Sequence, residues 1–146
     1  MQLYPLQFEP KLHYVVWGGR QLRLYKGMEP SDEPIGESWE VSAVPTSTSI
    51  VNNGVYTCKD LISVINENPD AIMGKKVNEK YNGKLPLFVK FIDAKRDLTI
   101  QVHPNDEMAM REHGKMGKSE MWYVIKADEE AHLFAGFKQE ITPYEY

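Results

Sequence analysis

The sequence lacks most of the features that mark secreted, membrane or disulfide-rich proteins. Its 146 residues include a single cysteine, Cys58, so no disulfide can form within the chain. No stretch approaches the roughly 18 consecutive apolar residues of a membrane span. The first residues, Met1-Gln2-Leu3-Tyr4, lack the basic start and apolar run of a signal peptide. These absences predict a cytoplasmic protein with no membrane partner.

An excess of basic residues is also absent, since the formal net charge is −4. This balance argues against nucleic acid as a partner, because phosphate backbones are bound by clustered lysine and arginine. Apolar residues make up 42% and charged residues 26% of the chain, which is typical of globular proteins. The length suits one domain over residues 1–146.

Aromatic residues are plentiful, and the short apolar runs favour mainly β-structure. The opening residues 3–10 contain two prolines and suit an extended segment or edge strand. Alternation of apolar and polar residues, or short apolar runs between turn signals, predict further strands. These are residues 38–42, 49–51, 85–92, 98–103, 121–125 and 132–137.

A few short helices are predicted between the strands. One runs from Thr57, the expected N-cap, to Glu67, and one further turn covers residues 71–74. Residues 75–84 are polar and are interpreted as a linker. A last helix begins after Asn105, which can cap it, and ends at Gly114.

The segment Thr99-Ile100-Gln101-Val102-His103 is the most informative for chemistry. If it is a strand, Thr99, Gln101 and His103 share one face. Amide oxygen and neutral imidazole are suitable ligands for zinc or another divalent cation. Seventeen residues later, the carboxylate of Glu120 completes such a site if the two strands are neighbours. The residue types alone leave a satisfied surface histidine as the commoner alternative, and they give His13, His113 and His132 no special role.

Ordered motifs then resemble a known family, the type I mannose-6-phosphate isomerases in their shorter bacterial form. The resemblance covers nearly the whole chain, and four motifs in the right order make it specific. The motifs are Trp17-Gly18-Gly19; Ile35-Gly36-Glu37-Ser38-Trp39-Glu40-Val41-Ser42; Pro86 to Ala94 continued by Leu98 to Asp106; and Gly117-Lys118-Ser119-Glu120-Met121-Trp122-Tyr123.

The resemblance implies a metal site and a sugar-phosphate pocket. Gln101, His103 and Glu120 match three of the family's four zinc ligands, and the second histidine of the family lies beyond Tyr146. The matched pocket residues are Trp17, Glu37, Lys90, Thr99 and Lys118, of which Lys118, Lys90 and Glu37 are the catalytic candidates. Which residue is the general base stays open.

The implied reaction interconverts mannose 6-phosphate and fructose 6-phosphate through an enediolate, with one zinc or other divalent ion as cofactor. The alternative is a non-catalytic module that binds a metal or a sugar. A second histidine and an arginine supplied from elsewhere would distinguish the two.

The implied fold is a cupin-like double-stranded β-helix, or jelly-roll barrel, with a few short helices. The end at Tyr146 is compatible with a natural terminus or with a cut inside a longer protein. If the chain is cut, we expect an incomplete barrel whose open edges favour a homodimer.

Overall fold

The computed structural model describes residues 3 to 142 and forms two compact units, one up to Leu98 and one from Thr99 onward. The expectation of a cut inside a longer protein was drawn from the C-terminal residues. Residues 143–146 among them lie outside the described part of the chain. The single domain over residues 1–146 stays a prediction. No helix among residues 3 to 142 is long and apolar enough to cross a membrane.

The first unit contains a three-stranded antiparallel sheet in the order β1 (Lys11–His13), β2 (Glu37–Val41) and β3 (Val89–Ile92). The β1–β2 register pairs His13 with Glu37, and the β2–β3 register pairs Trp39 with Lys90. Because partners in register lie on the same face, His13, Glu37, Trp39 and Lys90 share one face of the sheet.

The core of this unit lies under helix α2 (Leu61–Glu67). Buried Val51, Tyr56 and Val64 form its centre, and Tyr4, Leu6, Phe8 and Ile72 pack against them. The other helices of the unit are α1 (Gln21–Tyr25), α3 (Pro69–Met73) and α4 (Lys75–Tyr81), with a 3₁₀ turn over Gly54–Tyr56.

Several local predictions hold. Residues 38–42 do form a strand, displaced by one residue, and residues 89–92 form the second half of the predicted strand 85–92. The extra turn near residue 71 is α3. The second unit holds α5 (Asp106–His113), which Asn105 caps by accepting from the backbone N–H of Met108 at 2.9 Å.

Other local predictions are wrong. The N-cap of α2 is Asp60, whose side chain accepts from the N–H of Ser63, and not Thr57. The predicted linker 75–84 is mostly helix α4, and β1 and α1 were not predicted. Residues 49–51 make only isolated bridges, Ile50 with Asp60 and Val51 with Phe8.

The second unit differs most from the expectation. The described part of the chain contains no strand at residues 98–103, 121–125 or 132–137. Over residues 3 to 142 as a whole, helices contain more residues than strands do. Alternation of apolar and polar residues determines which side chains share a face of a strand. It does not determine which other segment pairs with the backbone N–H and C=O groups of that strand. Ile100, Met121 and Tyr123 are accordingly 82%, 89% and 84% exposed. Of the expected mainly β fold with a few short helices, the structure therefore shows a small three-stranded antiparallel sheet with short helices, and it does not show the expected predominance of strands.

Candidate active site

The second unit brings two separated parts of the sequence together through a folded loop. Helix α5 ends at Gly114, whose φ of 60° lies in the left-handed region. The chain then returns, and the N–H groups of Gly117 and Lys118 donate to Asp106 Oδ1 at 2.9 Å and to the carbonyl of Pro104 at 3.2 Å. A Cβ on Gly117 would lie 2.5 Å from the carbonyl carbon of Asn105. Only glycine permits this close return.

This loop places Lys118 and Glu120 beside His103. The Nε2 atom of His103 lies 3.0 Å from Oε2 of Glu120, and Lys118 Nζ lies 3.4 Å from the other carboxylate oxygen. The side chains of His103 and Glu120 are only 24% and 28% exposed. A cavity of about 400 Å³ lies beside them, lined in part by His103, His113, Lys115 and Lys118.

The charge of Glu120 is set by these neighbours. Burial raises the pKa of the carboxyl, but the hydrogen bond with His103, the charge of Lys118 and the indole of Trp122 together bring the pKa below its ordinary value of 4.5. Glu120 is therefore a carboxylate at neutral pH.

The donor types suit a divalent cation. Imidazole nitrogen and carboxylate oxygen are common zinc ligands, and two ligands at about 2.1 Å from a tetrahedral ion lie about 3.4 Å apart. The observed 3.0 Å between His103 and Glu120 is close to that spacing. Gln101, however, is exposed and makes no hydrogen bond with either residue among residues 3 to 142. No three His, Cys, Asp or Glu side chains cluster for a metal among residues 3 to 142. Two of the three predicted ligands are thus brought together.

A second cluster lies on one face of the sheet in the first unit. Lys90 Nζ donates to Oε1 of Glu37 at 2.8 Å, and the indole N–H of Trp39 donates to Oε2 at 2.7 Å. The side chains of Lys90 and Glu37 are 21% and 16% exposed. Burial raises the pKa of Glu37, but these hydrogen bonds and the charges of Lys90 and His13 bring it below 4.5. The cluster therefore consists of the Glu37 carboxylate, fixed by two hydrogen bonds, and the ammonium group of Lys90 beside it.

The remaining predicted pocket residues, Trp17 and Thr99, take part in none of the hydrogen bonds described above. Trp17 packs its ring over Gly36, where a Cβ would lie 2.7 Å from the ring. Its carbonyl accepts from the N–H groups of Lys95 and Arg96. Thr99 is exposed and belongs to the second unit.

Three aromatic residues around Glu37 were not among the predicted site residues. The ring of His13 lies 4.3 Å from that of Trp39, Phe88 packs edge-on to Trp39 at 4.7 Å, and Lys90 lies over Phe88. Trp39 was detectable, because it follows Glu37 by two residues in an alternating strand. His13 was not, because its position depends on the pairing of β1 with β2.

Comparisons with known proteins agree with the motifs. Residues 5–135 match the family model "Phosphomannose isomerase type I, catalytic domain". The chain is 37% identical to mannose-6-phosphate isomerase of Streptococcus mutans over 132 residues, which is 90% of this chain and 40% of that protein. It is 39% identical to the probable mannose-6-phosphate isomerase GmuF of Bacillus subtilis, covering 91% of this chain and 41% of that protein.

Solved structures show the same relationship. The crystal structure of mannose 6-phosphate isomerase from Bacillus subtilis superimposes with a TM-score of 0.67 at 34% identity, covering 77% of this chain and 35% of that one. A single-residue variant of phosphomannose isomerase from Salmonella typhimurium gives 0.63 at 27% identity over 73% of this chain and 27% of that one. The chain therefore spans about two fifths of the length of these curated relatives. It belongs to the type I phosphomannose isomerase family.

Proposed function

We propose that this chain carries catalytic residues of a mannose-6-phosphate isomerase, which interconverts mannose 6-phosphate and fructose 6-phosphate. The observation that carries the proposal is the cluster of His103, Glu120 and Lys118, formed by segments inside the region that matches the family. The names of the relatives give the substrate, and the adjoining cavity has room for a sugar phosphate.

The proposed cofactor is one zinc ion, or another divalent metal, held by His103 and Glu120 with Gln101 as a third ligand. Such an ion polarises a carbonyl and stabilises negative charge on its oxygen. Gln101 needs to approach the other two residues, and its exposed position leaves its side chain able to turn. The proposal includes the cupin-type jelly-roll barrel as the fold of the family.

The protein side chains would perform the rest of the reaction. Aldose–ketose conversion removes a proton from C2 of the aldose, and the electron pair released forms the enediolate. A proton is then returned to C1, while O2 loses its hydroxyl proton and O1 gains one. Lys118, an ammonium beside a carboxylate, would neutralise charge on the phosphate or the enediolate. Glu37 is a carboxylate that can accept a hydrogen bond from a sugar hydroxyl or take a proton at Oε1, once Lys90 releases that atom. Trp17 in the first unit and Thr99 in the second are proposed as substrate-binding residues.

The proposed partners are small sugar phosphates and, through open edges of the barrel, a second copy of the chain. A cytoplasmic location completes the proposal and rests on the composition.

The first test is zinc titration of the metal-free chain by calorimetry. We expect stoichiometric binding that is lost in His103→Ala and weakened at least ~10-fold in Glu120→Gln. His132→Ala is the matched control, because His132 is exposed and lies in none of the motifs. Equal zinc binding by all four proteins would remove the metal from this site.

The second test follows fructose 6-phosphate production from mannose 6-phosphate in the zinc-loaded protein. Lys118→Ala and Lys90→Ala should lower kcat by about 100-fold or more if they stabilise charge in the reaction, whereas Lys76→Ala on α4 should not. Zinc binding without any turnover would favour the non-catalytic alternative.

A further inference from the structure

Arg23 on α1 is a buried charge without a counter-ion among the described residues. It is 8% exposed, and the only hydrogen bond of its side chain among the described residues runs from Nη1 to the carbonyl oxygen of Glu29 at 3.3 Å. Its Nε–H is buried and has no hydrogen-bond partner within residues 3 to 142. A guanidinium is a cation with five N–H donors. Buried charges are normally paired, because loss of hydration is costly.

Arg23 also lines a cavity of about 410 Å³ in the first unit. The other lining residues are Arg20, Leu24, Pro30, Ser31 and Asp32. Arg20 pairs with Asp32 at 2.9 Å, but these side chains are 62% and 97% exposed, so solvent screens the pair. The lining therefore carries two positive charges and one negative charge, and the buried positive charge is the unpaired one.

We propose that this cavity binds a small oxyanion, namely inorganic phosphate or the phosphate group of a phosphate ester, with Arg23 as its principal ligand. The planar fork of N–H donors on arginine matches two oxygens of a phosphate, which explains why an arginine is kept in this buried position. The hydroxyl of Ser31 accepts from the N–H of Glu33 at 3.2 Å and keeps its own proton to donate.

This site is separate from the proposed isomerase residues, since none of its lining residues is a candidate ligand or catalytic residue. The inference does not rest on the proposed function.

The test is a titration of the metal-free, isotope-labelled chain with inorganic phosphate and with glycerol 3-phosphate, in a buffer without other oxyanions. The Nε–H resonance of Arg23, assigned from its loss in Arg23→Met, reports binding directly. We expect a saturable shift of this resonance, and we expect calorimetric affinity for phosphate to fall at least ~10-fold in Arg23→Met.

Matched controls separate this site from the lysines of the isomerase site. Lys90→Met and Lys118→Met remove one cation each and should leave phosphate binding at Arg23 unchanged. If Arg23→Met does not fold, Arg23→Lys is used in its place. Lysine keeps the positive charge but lacks the planar set of N–H donors, so phosphate binding should still be weaker than in the wild type. If glycerol 3-phosphate binds more tightly than inorganic phosphate, the cavity is assigned to a phosphate ester. If the two bind equally, the cavity is assigned to inorganic phosphate. An unmoved Arg23 resonance up to about 50 mM phosphate, or binding lost only in the lysine variants, would overturn the proposal.

Discussion

Glu37 shows how a single residue links the stability of this fold to pH. Its carboxylate accepts hydrogen bonds from Lys90 and Trp39 in a half-buried position, and its pKa lies below the ordinary 4.5. A lowered pKa means that the charged form contributes its full stability above pH 4.5. That contribution is lost as the pH falls through the lowered pKa.

We therefore expect Glu37→Gln to flatten the dependence of stability on pH below 4.5. At pH 7 the variant should lose about 1–3 kcal/mol, because Lys90 keeps its half-buried position without a charged partner. Urea unfolding at a series of pH values measures both effects. Glu33→Gln, at an exposed loop position, is the control. The same slope in wild type and Glu37→Gln would contradict the argument.

Gly36 illustrates a second residue-scale constraint, because the chain approaches it too closely for a side chain. A Cβ there would lie 2.1 Å from Val15 Cγ2 and 2.7 Å from the ring of Trp17. We expect Gly36→Ala to cost about 1–3 kcal/mol by overpacking and to change the fluorescence of Trp17.

Gly27→Ala separates this steric effect from backbone strain. Gly27 has a φ of 64° with open space around it, so alanine there should cost about 1 kcal/mol without altering the tryptophan signal. An unchanged spectrum in Gly36→Ala would show that the ring of Trp17 does not rest on this glycine.

At the scale of elements, the start of α2 depends on its cap. Asp60 accepts from the backbone N–H of Ser63 at 2.9 Å and from its hydroxyl, whereas the hydroxyl of Thr57 donates to the carbonyl of Gly54 outside the helix. Asp60→Ala should destabilise the fold by about 1 kcal/mol, and Thr57→Ala by less than about 0.5 kcal/mol. Thermal unfolding of both variants decides which residue caps the helix. A larger loss of stability in Thr57→Ala than in Asp60→Ala would show that Thr57 is the N-cap.

Helix α4 shows why a polar segment escapes detection. Only Val77 and Tyr81 within Lys75–Tyr81 supply apolar spacing, and no residue of the helix is buried. Its support comes from a tertiary contact, in which Asn78 donates to Asp70 on α3 at 2.7 Å, and from Asn82 in the left-handed region at its end. Neither feature can be recognised from the pattern of apolar residues along the sequence.

At the scale of the whole molecule, the second unit exposes apolar residues that would ordinarily be covered. Ile100, Met121 and Tyr123 are more than four fifths exposed. We expect the average mass in sedimentation experiments to rise with concentration over the micromolar to millimolar range. The double variant Ile100→Ser and Tyr123→Ser should lower this association.

The control is Val55→Ser, which removes an equally exposed apolar residue, at 81%, from the first unit. A constant monomer mass for the wild type at all concentrations would exclude self-association through these residues.

The sequence by itself determined the family, the helix α5 with its Asn105 cap, and strand β2 to within one residue, because these depend on contiguous residues and local spacing. It also indicated His103 and Glu120 as partners. Only the tertiary structure decided that Gly117 turns the loop back to join them, that His13 faces Glu37, and that residues 98–103 and 121–125 lie unpaired. Those features depend on which backbone segment lies beside which, and strand pairing and close approach are set by neighbours distant in the chain, which an alternating pattern does not specify.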